Sequence, residues 1–381
     1  MNKVKVPLSS PDIIEKDIEA VVAVMKTRFL SIGPKIKEFE KKMSQYAGVK
    51  YAVAVNSGTS ALHLIIRGLG IKEGDKVLTT PFSFISSSNC ILFEKAEPLF
   101  VDIDEKTLNL DPDKTEEQLG KMSREELDKV KAMIVVDAFG QPADWDRFEE
   151  IARKYNLKLI EDSAEALGSE YKRRKCGSFG EAGVFAFYPN KQICTGEGGV
   201  LVTDNEELAR LARSMRSQGR GESGEWLDHE RLGYNYRMDE LSAALGCSQM
   251  ERIEEILDKR VKVAGMYGEK LAEVEEVQVS FIADYVSRMS WFVYVIRLKR
   301  GIDRNKVLEY LNEEGVQCKP YFTPIHLQPF YRKMFGYKEG DFPVTEDVTG
   351  RTIALPFFNN LKEEQVEYVV NKLKEGIKRN S

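Results

Sequence analysis

The chain has 381 residues, of which 42% are hydrophobic, and its 56 basic and 61 acidic side chains give a formal net charge of −5. This length and composition support a globular protein with a large core and exclude a disordered chain, and the mildly acidic charge offers no overall field that attracts nucleic acid. No stretch approaches the roughly 20 apolar residues of a membrane span, and the N-terminus lacks the apolar core of a signal peptide, so neither a nucleic-acid nor a membrane partner is expected.

Two helices are predicted before the first strand. Ser10-Pro11-Asp12 has the pattern of a helix cap and first turn, and Ile14 and Ile18 follow it at helical spacing. A second amphipathic helix is predicted from Pro34 towards Gly48. Each of these helices therefore has an apolar face with which to pack against the rest of the chain.

From residue 53 to residue 203, short apolar runs alternate with helical segments. The predicted strands cover residues 53–55, 76–80, 99–101, 133–137, 157–161, 184–188 and 200–203. This alternation predicts an α/β domain whose largely parallel sheet is covered by helices on both faces. Because sites in such domains lie at the carboxyl ends of the strands, residues that follow these strands are expected to meet in one pocket.

After about residue 241 the pattern changes to that of a smaller α+β domain. The predicted elements are a long helical stretch over 241–274, strands at 291–298 and near 316–321, a helix at 303–314 and a terminal helix around 366–377. We therefore divide the chain into a large domain over residues 1–250, with an N-terminal arm, and a small C-terminal domain over residues 251–381.

Cysteine and histidine usage limits the kind of site and the compartment. The five cysteines lie far apart and are odd in number, which is typical of a reduced, cytoplasmic protein and not of a disulfide scaffold. The three histidines are not paired at ligand spacing, so no metal site is expected. The chemistry must then come from other side chains.

Three segments with distinct chemistry follow predicted strands. Strand 53–55 runs into a turn that contains Gly58 and Thr59, strand 157–161 is followed by Asp162, and Lys191 lies in the loop after strand 184–188. Pyridoxal phosphate needs these groups: a lysine amine for a Schiff base and proton transfer, a carboxylate beside the pyridine nitrogen, and backbone N–H groups at a helix N-terminus for the phosphate. The sequence therefore predicts a pyridoxal-phosphate site.

Motifs along nearly the whole chain resemble those of the DegT/StrS family of nucleotide-sugar aminotransferases. The similar segments are SIGPKIKEFEKK, NSGTSALHL, TTPFSF, EDSAEALGS, the lysine loop, LGYNYRMDELSAALG, YFTPIHLQP and DFPVTEDVTGRTIALP. The resemblance implies the fold-type I architecture of aspartate aminotransferase, with a large α/β/α domain and a smaller C-terminal α+β domain. It also implies a homodimer with shared active sites.

The resemblance assigns roles around the cofactor. It makes Lys191 the Schiff-base lysine and general acid/base, and Asp162 the partner of the pyridine nitrogen. Gly58 and Thr59 would bind the phosphate, and Phe84 would stack on the ring, although a lone aromatic residue is also typical of a core.

Two further residues are assigned roles beyond the subunit's own cofactor. Asn235 matches a residue that reaches across the dimer interface to the neighbour's phosphate, and the alternative is a polar turn residue. His326 resembles a substrate-side histidine, and the alternative is a buried structural histidine.

Three positions depart from the family pattern. Ala186 stands where many members have a serine that binds the phosphate, so the phosphate depends more on Thr59, backbone amides and the partner subunit. The resemblance implies that Glu165 lies beside the phenolic oxygen of the cofactor, where glutamine or histidine is common; some relatives that act on 4-keto-6-deoxy sugars carry glutamate there. Asp137 replaces a common histidine, with no consequence that the sequence reveals.

The function that the resemblance implies is a transamination from glutamate to a nucleotide-linked keto-sugar, of the 4-keto-6-deoxy class, in surface-polysaccharide or amino-sugar biosynthesis. A keto-cyclitol or aminobenzoate-type aminotransferase and a cofactor-binding regulator without turnover are alternatives. A cofactor-dependent sugar dehydratase is a further rival, but that branch replaces the lysine with histidine, so Lys191 argues against it.

Overall fold

The computed structural model describes residues 4–221 and 228–380. The strands are β1 (Tyr51–Val55), β2 (Lys76–Thr79), β3 (Glu97–Phe100), β4 (Val130–Val136), β5 (Lys158–Asp162), β6 (Glu170–Tyr171), β7 (Arg174–Lys175), β8 (Ala182–Ala186), β9 (Gly199–Thr203), β10 (Val277–Gln278), β11 (Val286–Arg288), β12 (Tyr294–Leu298) and β13 (Thr352–Leu355). The helices are α1 (Glu15–Met25), α2 (Pro34–Ala47), α3 (Gly58–Gly68), α4 (Ser86–Phe93), α5 (Pro112–Lys121), α6 (Arg124–Leu127), α7 (Trp145–Tyr155), α8 (Glu206–Arg216), α9 (Glu240–Met250), α10 (Ile253–Leu271), α11 (Arg304–Glu313), α12 (Pro329–Phe335), α13 (Pro343–Arg351) and α14 (Glu363–Asn380).

A seven-stranded sheet has the order β1-β9-β8-β5-β4-β2-β3. Four of its contacts, from β8 through β5, β4 and β2 to β3, are parallel, whereas β9 is antiparallel to both β1 and β8. Successive residues of β1 point to opposite faces: Ala52 and Ala54 pack with residues of α2 and α9, while Val53 and Val55 pack with residues of α3 and α8. The predicted α/β architecture with a mostly parallel, doubly covered sheet is confirmed.

The smaller C-terminal sheet has the order β10-β12-β13 and is antiparallel throughout. Helix α10 contributes to two cores, since Ile256 and Leu257 pack with residues of the large sheet and Val263 and Tyr267 pack with residues of the small one. Because one helix joins both cores, the domain boundary between residues 250 and 251 stays a prediction.

Three predicted elements of the chain have different bounds or do not form. The first helix begins at Glu15 rather than after Ser10, because the Asp12 side chain accepts hydrogen bonds from Lys259 (3.1 Å) and Asn359 (3.0 Å) instead of capping a turn. The stretch 241–274 is two helices, and residues 316–321 form no strand: Val316 and Lys319 make only isolated bridges.

The break between α9 and α10 has a tertiary cause. Arg252, the residue before α10, leaves helical geometry (φ −122°, ψ 23°), and its guanidinium donates to Asp17 at 2.8 Å and to Asp12 at 3.3 Å. These side chains are almost completely buried, so the charge pairing with the N-terminal arm outweighs local helix propensity. None of the described helices has the length and apolar character needed to cross a membrane.

Glu240 caps the N-terminus of α2, although the two lie more than 200 residues apart in the sequence. Its carboxylate accepts the N–H groups of Gly33 (3.0 Å), Lys35 (2.8 Å) and Ile36 (3.0 Å), and the residue is 1% exposed. A negative charge beside unpaired N–H groups at a helix N-terminus is favourable. The cap therefore fixes α2 against α9.

We expect Glu240→Gln to lower the free energy of unfolding by about 1.5–3 kcal/mol, because an amide donor would then face backbone donors in a buried site. Urea unfolding monitored by circular dichroism measures this change. Glu309→Gln, an exposed glutamate on α11, is the control and should leave the stability within about 0.5 kcal/mol. Equal stability of the Glu240→Gln variant and the unchanged protein would contradict the role given to this cap.

Candidate active site

A cavity of about 620 Å³ lies at the carboxyl ends of the parallel strands. Its walls come from the turn after β1, residues 83–87, the end of β5, the loop after β8, and residues 320–323 with Phe292. The cavity brings together most of the residues that the sequence singled out: Gly58, Thr59, Phe84, Asp162, Glu165 and Lys191.

Lys191 presents its amine to this cavity from the loop between β8 and β9. The loop is closed by hydrogen bonds from the Phe187 N–H to the Gly198 carbonyl (3.0 Å) and from the Thr195 N–H to the Phe187 carbonyl (2.9 Å). The Lys191 Nζ lies 3.4 Å from Glu165 Oε1 and 3.8 Å from the ring centroid of Phe292. A carboxylate and an aromatic face thus hold the amine at the cavity wall.

Asp162 ends β5 and is almost fully buried. The Ser87 hydroxyl donates to its Oδ2 at 2.7 Å, and the Ala164 N–H donates to its Oδ1 at 3.2 Å. Burial raises the pKa of Asp162, while these two hydrogen bonds and the charge of Lys191 oppose that rise. The site therefore supports a carboxylate that can pair with a protonated nitrogen in the cavity.

The turn after β1 has the features of an anion site. Ser57 caps α3 by accepting the Ser60 N–H at 3.1 Å, and the N–H groups of Gly58 and Thr59 find no acceptor among the described residues. A Cβ on Gly58 would lie 2.8 Å from the Ala186 Cβ, and one on Gly199 would lie 2.4 Å from the Ser57 carbonyl carbon. The backbone thus rests directly on β8 and β9, with free donors at a helix N-terminus.

Glu165 is buried beside Lys191. The Phe139 N–H donates to its Oε2 at 2.9 Å, and the lysine approaches Oε1. Burial raises the pKa of Glu165, and the Lys191 charge and the Phe139 hydrogen bond oppose that rise. One carboxyl oxygen therefore faces the reactive amine directly.

Phe84 differs from most aromatic residues of the chain in its exposure. Its side chain is 63% exposed although it lines the cavity. An aromatic ring on the cavity wall with no core to fill is available to stack on a planar ligand. The core alternative for Phe84 does not hold.

Asn235 does not line the cavity of its own subunit and is exposed. Its carbonyl accepts the Asn56 amide at 3.5 Å, and its neighbours Tyr234 and Tyr236 stack on each other at 4.8 Å. The Nδ1 atom of His63 forms a hydrogen bond with the Tyr236 hydroxyl at 3.1 Å, which helps to hold this segment in place. A firmly held segment thus presents Asn235 at the surface, and its contact with a neighbouring subunit stays a prediction.

His326 is fully buried and is not among the residues that line the cavity. Its Nε2 lies 3.0 Å from Glu346 Oε1, and its ring packs edge-on against Phe342. Burial lowers the pKa of His326, although the Glu346 carboxylate opposes the shift. Contact between His326 and a substrate stays a prediction.

Two cavity residues carry no sequence signal that would have identified them. Ser87 is one of three consecutive serines, and only the fold shows that its hydroxyl reaches Asp162. Phe292 lies 101 residues after Lys191 and meets it only because the segment before β12 folds back onto the large domain. Both depend on contacts between distant segments.

The cavity meets the requirements of pyridoxal phosphate. It contains a lysine amine, a buried carboxylate for the pyridine nitrogen, unpaired N–H groups at a helix start for the phosphate, and an exposed aromatic ring. Its volume lies within the usual range of cofactor sites. The residues present therefore fit this cofactor.

Comparison with known proteins gives consistent matches. A sequence profile of the DegT/DnrJ/EryC1/StrS aminotransferase family matches residues 11–374. The chain is 36% identical to the spore coat polysaccharide biosynthesis protein SpsC of Bacillus subtilis, covering 98% of this chain and 97% of that protein. It is 34% identical to a GDP-perosamine synthase of Caulobacter vibrioides, covering 97% of each chain. The pyridoxal-phosphate form of a sugar aminotransferase from Streptococcus pneumoniae superposes with a TM-score of 0.91 at 27% identity, over 98% of this chain and 99% of that one.

Proposed function

Because the chain belongs to the DegT/DnrJ/EryC1/StrS aminotransferase family, we propose that it moves an amino group from glutamate to a nucleotide-linked keto-sugar. The chain is a pyridoxal-phosphate-dependent aminotransferase, and the proposal concerns its substrates and residues. The observation that carries it is the convergence of Lys191 and Asp162 on one cavity beside the start of α3. The product would serve surface-polysaccharide or amino-sugar biosynthesis.

Each residue of the cavity has a distinct task in this proposal. Bound pyridoxal phosphate supplies an electron-poor ring that stabilises negative charge on the reacting carbon. Asp162 would keep the pyridine nitrogen protonated, Thr59 and the N–H of Gly58 would bind the phosphate, and Phe84 would pack on the ring. The Lys191 Nζ removes the proton from the donor's α-carbon, and it delivers a proton to the sugar carbon in the second half of the exchange.

Glu165 supports a 4-keto-6-deoxy sugar as the acceptor. Its carboxyl lies 3.4 Å from the Lys191 amine, so it can orient that amine and bond a sugar hydroxyl from the same position. A buried group that must hydrogen-bond its substrate rejects acceptors that lack the matching hydroxyl. In this proposal Glu165 favours a hydroxylated ketone over a planar aromatic one, and the 4-keto-6-deoxy class rests on the glutamate that some relatives acting on such sugars carry at this position.

The substrate proposal is tested by supplying glutamate with UDP-, dTDP- and GDP-linked 3-keto and 4-keto sugars. We expect amine transfer to at least one 4-keto-6-deoxy nucleotide sugar, detected by mass spectrometry of the product. Transfer only to a keto-cyclitol or an aminobenzoate precursor would replace the sugar proposal. Cofactor binding without turnover on any acceptor would indicate a regulator.

A homodimer with shared sites is the second part of the proposal. The segment from residue 13 to residue 32 exposes large apolar side chains, which a soluble monomer rarely collects in one place. They are Ile13, Ile14, Ile18, Val22, Met25, Phe29, Leu30 and Ile32. Phe84 and Tyr188, on the cavity wall, are also exposed. A second copy of the chain would cover these surfaces.

The five cysteines are unpaired and buried, which supports a reducing compartment, the cytoplasm.

We expect Asn235→Ala to weaken cofactor binding by roughly ten- to a hundredfold without unfolding the chain. Ala186 provides no hydroxyl for the phosphate, so loss of the asparagine removes a hydrogen bond to a charged group that has no substitute. Titration of the apoprotein with pyridoxal phosphate, followed by absorbance, measures the change.

Mixing Asn235→Ala with inactive Lys191→Ala distinguishes an effect across the interface from one within a chain. If Asn235 acts across the interface, a mixed dimer has one intact site, and subunit exchange restores up to about half of one dimer's activity. If it acts within its own chain, every site keeps one defect and no activity returns. A fully active monomer in sedimentation experiments would contradict the dimer outright.

A further inference from the structure

A buried cluster of polar side chains lies behind Asp162, on the side of β5 that faces away from the cavity. Glu161 and Ser163 flank Asp162 in sequence and point to the opposite face of the strand. Asp137 follows β4, and its N–H donates to the Asp162 carbonyl at 3.1 Å. One oxygen of each carboxyl, Asp137 and Glu161, lies within 4.8 Å of the other and of the Cys176 sulfur.

The hydrogen bonds of this cluster require one more proton than two carboxylates and a serine supply. The Ser163 Oγ lies 2.8 Å from Asp137 Oδ2 and 2.6 Å from Glu161 Oε1. A hydroxyl has one hydrogen and can donate to only one of them. Two oxygens 2.6–2.8 Å apart with no hydrogen between them repel each other, so one carboxyl must itself donate to Ser163.

The remaining contacts show which carboxyl carries the proton. Both oxygens of Glu161 accept backbone N–H groups, from Gly177 at 2.6 Å and from Phe179 at 2.8 Å, and such donors favour the ionised form of this carboxyl. In Asp137, Oδ1 accepts the Ala143 N–H at 2.8 Å and the Trp145 indole N–H at 3.2 Å. Asp137 Oδ2 contacts Ser163 and no backbone donor among the described residues, so of the four carboxyl oxygens it is the best placed to carry the hydrogen.

We propose that Asp137 is a neutral acid in the folded protein, donating from Oδ2 to Ser163, which in turn donates to ionised Glu161. This proton completes a chain of hydrogen bonds that connects the end of β4 with the end of β5 behind Asp162. Asp137 and Glu161 are positioning residues, since they act on the cavity only through the strand that carries Asp162.

The surroundings of Asp137 favour its neutral form. Within the described ranges neither Asp137 nor Glu161 forms an ion pair with lysine or arginine, and both are completely buried. Burial raises the pKa of both Asp137 and Glu161, and the Asp137 charge adds to the rise at Glu161, so the pair retains a proton; neither Glu161 nor the Cys176 thiol brings a positive charge to Asp137. Asp144 and Tyr285 lie farther out and also bring none. The N–H groups on both oxygens of Glu161 then favour Asp137 as the carboxyl that carries this proton. Loss of the proton would leave two buried negative charges side by side.

A pKa of Asp137 that is raised in the folded state determines the direction in which the stability changes with pH. The folded protein keeps a proton that the unfolded chain releases above about pH 3.9, so the stabilisation is complete below that pH and falls as the pH rises through the folded pKa. Within that window one retained proton changes the unfolding constant by up to about tenfold per pH unit.

Asp137→Asn is the decisive variant, because asparagine has the hydrogen-bonding pattern of the protonated acid. Its carbonyl can accept from Ala143 and Trp145 while its amide donates to Ser163, and it does not titrate. In urea unfolding of the holoenzyme at fixed protein and cofactor concentrations, the unfolding constant of the unchanged protein should rise with pH relative to that of Asp137→Asn. The ratio should change by up to about tenfold per unit between about pH 4 and the folded pKa of Asp137, and level off above that pKa.

Glu161→Gln and Glu240→Gln are the matched controls. Glutamine at 161 sets an amide donor against the N–H of Gly177 or Phe179, so this variant should unfold at least about tenfold more readily at every pH. Glu240→Gln removes a buried carboxylate that accepts only N–H groups, and it should keep the pH dependence of the unchanged protein. An infrared band of a protonated carboxyl should be lost in Asp137→Asn and retained in Glu240→Gln.

Three results would overturn the assignment. One is an Asp137→Asn protein whose stability varies with pH as the unchanged protein's does. Another is the reverse pattern, in which Glu161→Gln flattens the pH dependence and keeps stability while Asp137→Asn loses it. The third is a stoichiometric divalent metal ion in the purified protein that Asp137→Asn releases, because a cation would then replace the proton.

Discussion

Replacing Lys191 with alanine should abolish amine transfer, with activity falling below detection. The proposed role gives this one amine both the covalent attachment of the cofactor and the proton transfer at the reacting carbon, and among the described residues no other lysine lines the cavity. Loss of general acid/base catalysis alone costs about 10²–10⁴-fold, before the loss of attachment is added. Steady-state amine transfer at saturating cofactor measures the effect.

Chemical linkage of the cofactor to the protein identifies the lysine that forms the Schiff base, without any measurement of turnover. The purified protein should be yellow, and borohydride should link the cofactor permanently to the peptide that contains Lys191. Lys175 provides a matched control, because its amine also lies over an aromatic ring, 3.7 Å from the centroid of Tyr46, but outside the cavity. Lys175→Ala should keep colour and activity, and a label found on any lysine other than Lys191 would refute the assignment.

The second large effect is expected for Asp162→Asn. A neutral amide cannot keep the pyridine nitrogen protonated, so the ring loses its capacity to accept electrons while the cavity keeps its shape. We expect cofactor binding to persist and the rate of the half-reaction with glutamate to fall by at least about a hundredfold, which corresponds to roughly 2.7 kcal/mol of transition-state stabilisation. Stopped-flow absorbance of the bound cofactor follows this step directly.

Asp204 is the control for that substitution. It also follows a strand of the large sheet and accepts a backbone N–H, from Lys50 at 2.8 Å, but it lies outside the cavity. Asp204→Asn should therefore leave the half-reaction unchanged. Near-normal half-reaction kinetics in Asp162→Asn would remove Asp162 from the mechanism.

The large sheet was predictable because its strands are buried on both faces. Each predicted run between residues 53 and 203 corresponds to a strand, since short runs rich in apolar and β-branched residues between helical segments have few other stable environments. Gly58, Asp162 and Lys191 could be placed at one edge by the same argument, because parallel strands bring their carboxyl ends together.

What the sequence did not predict depends on contacts between distant segments. The first helix starts late because Asp12 bonds to Lys259 and Asn359, and α9 ends early because Arg252 bonds to Asp12 and Asp17. Local patterns contain no information about such partners. The same holds for Ser87 beside Asp162, whose hydroxyl is one of several in its segment until the fold selects it.

The position of β9 in the sheet determines when β1 can find its partner strand during synthesis on the ribosome. Within the described part of the chain β1 is an edge strand that pairs along its length with β9, and Val55 pairs with Gly199, 144 residues later in the chain. The turn at Gly58 rests on that same glycine. A nascent chain therefore exposes an unpaired β1 until residue 203 has left the exit tunnel.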